Sequence, residues 1–77
     1  MPTVFKKDGF RFFFFSDEHI PKHIHIEKAD MYVRIELESS KVTDSYNVNI
    51  KEVKKLQKMV EENKDILIGA WNEYFKQ

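Results

Sequence analysis

From Phe10 to Phe15 the chain is apolar at every position but one, reading FRFFFF. Successive side chains of an extended strand point to opposite faces. Phe10, Phe12 and Phe14 therefore line one face, while Phe13 and Phe15 share the other with Arg11. A strand apolar on both faces is normally central in its sheet, or is covered on its second face by a partner. Upstream, Thr3 to Lys7 is a short β-prone run, and the Asp8-Gly9 pair between the two runs is a strong hairpin turn. Downstream, Ser16 to Lys22 breaks the alternation with polar residues and Pro21 and reads as a loop.

Two further runs alternate cleanly. His23, His25 and Glu27 point one way and Ile24 and Ile26 the other, and then Met31, Val33, Ile35 and Leu37 oppose Tyr32, Arg34, Glu36 and Glu38. Pairing these runs about a two-residue turn at Ala29-Asp30 brings the apolar sets onto one face, whereas a one-residue slip would expose every isoleucine. Ser39 to Asn47 is polar and turn-rich, with Val42 a candidate start for a short edge strand. Asn49 with Glu52 three residues later forms a capping-box pattern. From Ile50 the apolar positions Val53, Leu56, Met59, Val60, Ile66, Leu67, Ala70, Trp71, Tyr74 and Phe75 recur at spacings of three and four, the stripe of an amphipathic helix. The polar stretch from Glu61 to Asp65 interrupts it and predicts a bend or a second helix at Asn63, with a single long helix as the alternative. The expected architecture is α+β. A small antiparallel sheet of three to four strands, built of hairpins within residues 3–38, is followed by one or two helices over about 50–76, packed on one face. The chain, 1–77, reads as a single domain.

Composition narrows what such a domain can do. Seventy-seven residues bury a modest core, and with no cysteine there is no disulfide to reinforce it. Aromatic side chains, a histidine-bound metal or a partner subunit are the remaining reinforcements, and a 14% aromatic content favours the first. The formal net charge is zero; residues 1–40 carry six basic and seven acidic groups, and residues 41–77 carry seven and six. Neither half offers the basic field that a sequence-independent grip on nucleic acid needs, so nucleic acid is not an expected partner. With no apolar run of about 20 residues and no secretory signal at Met1-Pro2-Thr3, a soluble cytoplasmic protein is expected, without a membrane partner.

The sharpest chemical feature is His23-x-His25. On a strand the two imidazoles project from one face about 7 Å apart, so they can converge on one metal ion, with His19 or Glu18 from the preceding loop as third ligand. The same geometry can serve general acid–base cleavage of a phosphodiester by His23 and His25, with Arg11 or Arg34 stabilising the developing charge. Polar alternation alone also requires polar residues at 23, 25 and 27, and a cross-strand pairing of Glu18, His23 and Arg11 would be purely structural. Pro21 reads as a conformational stop.

Gly9-Phe10-Arg11-Phe12, then Ser16 and Glu18, then Pro21 and His23-Ile24-His25-Ile26 together resemble the small bacterial domain of unknown function 4160 family. Its members read roughly as a Gly-x-Arg-Phe aromatic strand, Ser-x-Glu, and Pro-x-His-Val-His-Val. Glu61-Glu62-Asn63 and Trp71-Asn72-Glu73-Tyr74-Phe75 look like that family's closing helix. The resemblance spans nearly the whole chain. Here isoleucine replaces the more frequent valine, His19 stands outside the pattern, and Met31 to Leu37 matches only in character. The family has no established activity; its members resemble components of toxin–antitoxin or phage-defence modules, which implies binding more than catalysis. The first expectation is thus a protein-binding module contacting a protein partner or a second copy through Arg11, Phe13, Phe15, His23 and His25, with no cofactor. The alternative is a metal-binding or histidine-dependent phosphodiesterase or nuclease centred on His23 and His25, with Arg11 and Glu18 as further catalytic candidates and a divalent transition metal such as zinc as cofactor.

Overall fold

The computed structural model describes residues 3–76. Met1, Pro2 and Gln77, which the single-domain expectation includes, lie outside the described residues. Five strands, β1 (Thr3–Lys7), β2 (Phe10–Phe13), β3 (His23–Lys28), β4 (Met31–Glu36) and β5 (Val42–Tyr46), are followed by α1 (Ile50–Glu62) and α2 (Lys64–Tyr74). The sheet is an antiparallel meander in the order β1-β2-β3-β4-β5. The fold is therefore the expected α+β arrangement with one strand more than anticipated. The polar 39–47 stretch supplies β5, beyond the 3–38 limit. This strand starts at Val42 and lies at the sheet edge, where the candidate edge strand was expected, and being largely exposed it shows little alternation.

The turns set the register. Asp8 and Gly9 both have positive φ (54° and 84°), as a tight hairpin turn that matches strand twist requires, and Lys7 pairs with Phe10. Ala29, at φ 54°, takes the place a glycine usually fills, and Lys28 pairs with Met31. From that turn follow His25 opposite Arg34 and Glu27 opposite Tyr32. The apolar sets then meet on one face: Phe10, Phe12, Phe14, Ile24, Ile26, Val33, Ile35 and Leu37 form a continuous core with Leu56, Met59 and Val60 of α1 and Leu67 and Trp71 of α2.

The helices divide where the polar stretch predicted. Asn49 caps α1 by accepting the Glu52 N–H at 2.8 Å. Asn63 ends it, with its backbone N–H shared between the carbonyls of Met59 and Val60 and its side-chain amide donating to Met59 O at 2.7 Å. The break restarts the helical phase, so the single stripe from Ile50 to Phe75 does not persist. Ile50, Ile66 and Tyr74 are exposed, and of the stripe's positions α2 buries only Leu67 and Trp71.

β2 is second from the edge, not central, and ends at Phe13. Its second face is nonetheless closed by this chain itself. Phe13 is only 2% exposed: the Arg11 guanidinium lies 4.1 Å above its ring, His25 stacks on it and Phe15 meets it edge-on. Phe13 thus does not offer the open contact surface expected of it. Phe15, 40% exposed, does. Among the described residues no helix is long and apolar enough to cross a membrane.

Candidate metal centre

The loop of residues 14–22 leaves β2 and folds back across the polar face of the sheet, where Glu18 holds it down. Glu18 Oε2 accepts the Phe15 backbone N–H at 3.1 Å and lies 2.7 Å from His25 Nε2, while Oε1 lies 3.0 Å from His23 Nε2. One carboxylate therefore bridges both histidines of β3. Of the two loop residues expected as a third ligand, Glu18 joins the pair, and the exposed His19 does not. The candidate donor atoms of Glu18, His23 and His25 lie within 4.8 Å of one another. Donors around a tetrahedral ion with bonds of ~2.1 Å are about 3.4 Å apart, so small side-chain rotations bring these three into range.

Each histidine is held from behind by its other nitrogen. His23 Nδ1 is 2.8 Å from Pro21 O, and His25 Nδ1 is 2.7 Å from the Tyr32 hydroxyl. Pro21 therefore supplies an acceptor to the site as well as a stop to the chain. A carbonyl only accepts, so His23 Nδ1 donates, and its Nε2 then faces Glu18 Oε1. These contacts are satisfied by a hydrogen on both ring nitrogens or by a cation between Nε2 and Glu18. His25 differs because a tyrosine hydroxyl can donate or accept. As a neutral ring it donates from Nε2 to Glu18 and accepts from Tyr32; with Tyr32 as acceptor its Nε2 is free to ligate.

Burial is the main influence on His25, which is 3% exposed, and lowers its pKa from the ordinary 6.5 although the neighbouring Glu18 carboxylate pulls the other way. Burial likewise raises Tyr32 above its ordinary 10.0, with Arg34 opposing, so the hydroxyl keeps its hydrogen at neutral pH. His23 packs its ring against Trp71 of α2 at 5.3 Å and against His25 at 5.0 Å. Trp71, which also meets Phe14 edge-on at 5.4 Å, thereby ties the site to the core.

The two arginines divide. Arg11 is drawn away from the histidines: its Nε and Nη2 donate to Glu27 Oε1 at 2.9 and 2.6 Å and its plane roofs Phe13, so the expected pairing with Glu18 and His23 does not form. Arg34, across the ladder from His25, lines a cleft of about 250 Å³ together with Glu18, His23, Glu36 and Thr43. A second cleft of about 570 Å³ lies on the other side of Glu18, against Lys22, Trp71 and Phe75. Tyr32 was placed on the polar face by alternation but was not a candidate site residue. Its signal was the Ala29-Asp30 turn, which puts Tyr32 opposite Glu27 and hence one pleat from His25 on the same face.

A family model described as a domain of unknown function (DUF4160) matches residues 9–72, a span that contains the loop, both histidines and Arg34. Neither the curated proteins nor the solved structures contain a match to this chain.

Proposed function

The chain belongs to the DUF4160 family, and from the site it carries we propose that it binds a divalent transition-metal ion through Glu18, His23 and His25. One observation carries the reading: a carboxylate and two Nε2 atoms converge, with both histidines oriented from behind by Pro21 O and Tyr32 Oη. Such backing contacts fix ring tautomer and direction in metal sites. An ion between His23 Nε2 and Glu18 would take the place of a hydrogen on that nitrogen while Nδ1 goes on donating to Pro21 O. Two imidazoles and one carboxylate suit zinc and its first-row neighbours better than magnesium or calcium. Three protein ligands leave a position for water, the arrangement of catalytic rather than structural zinc. Held by Glu18, His23 and His25, such an ion would supply a water of lowered pKa, and hydrolysis, of a phosphodiester in this reading, is the chemistry it would serve.

The test is a thermal melt of metal-free protein with Zn²⁺, Mn²⁺ or Ni²⁺ added, on wild type, Glu18→Gln and His23→Ala/His25→Ala. At 100 times the dissociation constant a bound ion adds about 2.7 kcal/mol, a rise on the order of 10 °C for a domain this small. That rise should be lost in both variants and weakened in Tyr32→Phe, where affinity should fall about 10- to 100-fold. A folded wild type whose midpoint no ion moves would leave Glu18 as a clamp for the loop and overturn the proposal.

A second reading, a protein-binding module of the toxin–antitoxin or phage-defence kind, is favoured by Phe15 and Ile20, 40% and 81% exposed on the same loop. Phe13 and His25 lie against the first of these, and a protein partner or second copy would cover both. Light scattering at high concentration, on wild type and Ile20→Asp, checks the self-association form of this reading; a monomer in both cases removes it.

A further inference from the structure

We infer that the cleft beside the Glu18–His23–His25 cluster receives an oxyanion, the phosphoryl or carboxylate end of a small ligand, held end-on by the Nη nitrogens of Arg34. The inference rests on the metal reading above and assigns that site its ligand class. Arg34 sits in β4 directly across the ladder from His25, so its side chain rises from the same face as the histidines. Its Nε donates to Thr43 Oγ1 at 2.8 Å, which fixes the plane of the guanidinium. Thr43 lies at the irregularity in the β4–β5 ladder, where Arg34 pairs with Asp44 but the next residue, Ile35, pairs with Val42. A bulge of this kind re-aims a side chain.

The two Nη nitrogens of Arg34 have no hydrogen-bond or ion-pair partner among the described residues. Its register neighbour Asp44 makes no ion pair with it, and Glu36, which also lines the cleft, accepts instead from Ser39 Oγ at 3.0 Å. An arginine anchored through Nε with a free Nη edge presents two parallel donors, the pattern that matches a carboxylate or phosphate.

Charge makes the binding conditional. Without a metal the cleft holds Arg34 (+1), Glu18 (−1) and Glu36 (−1), a sum of −1, or of zero with both ring hydrogens on His23, and neither sum draws an anion. A divalent ion on Glu18, His23 and His25 turns the sum to +1. Metal and oxyanion should therefore bind cooperatively, and the coupling must be reciprocal. A cleft of about 250 Å³ admits a phosphoryl or carboxylate group with a small appendage, and excludes a duplex or a folded segment.

The experiment uses the full chain loaded with Co²⁺, whose visible absorption reports its ligands, titrated separately with phenyl phosphate and with benzoate. A saturable spectral change with either anion is expected, together with at least a tenfold loss of anion affinity in Arg34→Gln and Thr43→Val while Co²⁺ uptake without anion stays as in wild type. Response to phenyl phosphate alone identifies a phosphoryl ligand, and response to benzoate alone a carboxylate. If wild type takes up Co²⁺ but neither anion alters its spectrum, or if both variants bind anion as tightly as wild type, the inference is wrong and the metal site stands. If wild type takes up no Co²⁺, the metal reading fails and this inference fails with it. Should Arg34→Gln not fold, Arg34→Lys replaces it, since lysine keeps the charge and loses the paired donors; undiminished anion affinity there overturns the fork.

Discussion

At the scale of single residues the unusual group is His25, a buried histidine between a carboxylate and a phenol. Burial lowers its pKa in the folded chain below the 6.5 of the exposed side chain. As pH falls the unfolded chain therefore takes up this proton first. The stability contributed by neutral His25 is complete above about 6.5 and declines as pH drops through that value towards the folded-state pKa. For one group the slope is at most about 1.4 kcal/mol per pH unit. The metal-free protein should melt progressively lower between pH 7.5 and 5, and His25→Gln should flatten that dependence. Parallel pH profiles for the two proteins would contradict the assignment of His25 as the titrating group. The same residue shows where alternation was informative: period two placed His23, His25, Tyr32 and Arg34 on one face, and they are there. Alternation does not reach into a loop, so it could not separate Glu18 from His19 as the third ligand; the family pattern held Glu18 alone.

At the scale of elements, two glycines play opposite parts. Gly9 closes the β1–β2 hairpin at φ +84°, and a Cβ there would stand 3.0 Å from Lys28 Cε. Gly69 sits inside α2, exposed, where a Cβ meets nothing within 4 Å. Gly69→Ala should raise stability by about 0.5–1 kcal/mol, a gain of roughly 3–6 °C in melting midpoint, because alanine loses less backbone entropy in a helix. Gly9→Ala should lower stability by about 1 kcal/mol or more through its left-handed backbone. Melts of both variants check the signs, and a stabilised Gly9→Ala would mean that the hairpin turn is not formed as described. The hairpins were legible because turn chemistry and alternation agreed on register. The helical stripe was legible only up to Asn63, since its phase beyond a break depends on how the second helix docks.

At the scale of the whole molecule, stability of a domain this size is roughly 4–12 kcal/mol, so a single buried ring is a large share of it. Phe13→Ala should cost about 3–5 kcal/mol, because the ring is enclosed by Arg11, Phe15 and His25. Phe15→Ala should cost about 1–2 kcal/mol, since 40% of that residue already faces solvent. Denaturant titration at low protein concentration separates the two. Equal, large losses would show that Phe15 is covered in solution by something beyond its own fold, which would favour the protein-contact reading. Domain size sharpens the same point: a small chain rarely buries both faces of a sheet with helices, and here a loop and one arginine cover the second face at β2.

What the sequence determined by itself were the features governed by neighbours along the chain. These are the two tight turns, the faces of β2, β3 and β4, the cap at Asn49 and the break at Asn63, for each follows from local backbone chemistry and side-chain period. The family was legible for the same reason, as its pattern lies in the aromatic strand, the loop and the histidine strand. The tertiary structure alone decided what depends on long-range approach. It paired the candidate edge strand at Val42 with β4, sent Arg11 to Glu27 and left Arg34 in the cleft. It also brought Glu18 down onto both histidines, which is a loop closure that no periodicity encodes, and with that contact the His-x-His pair became a three-donor site.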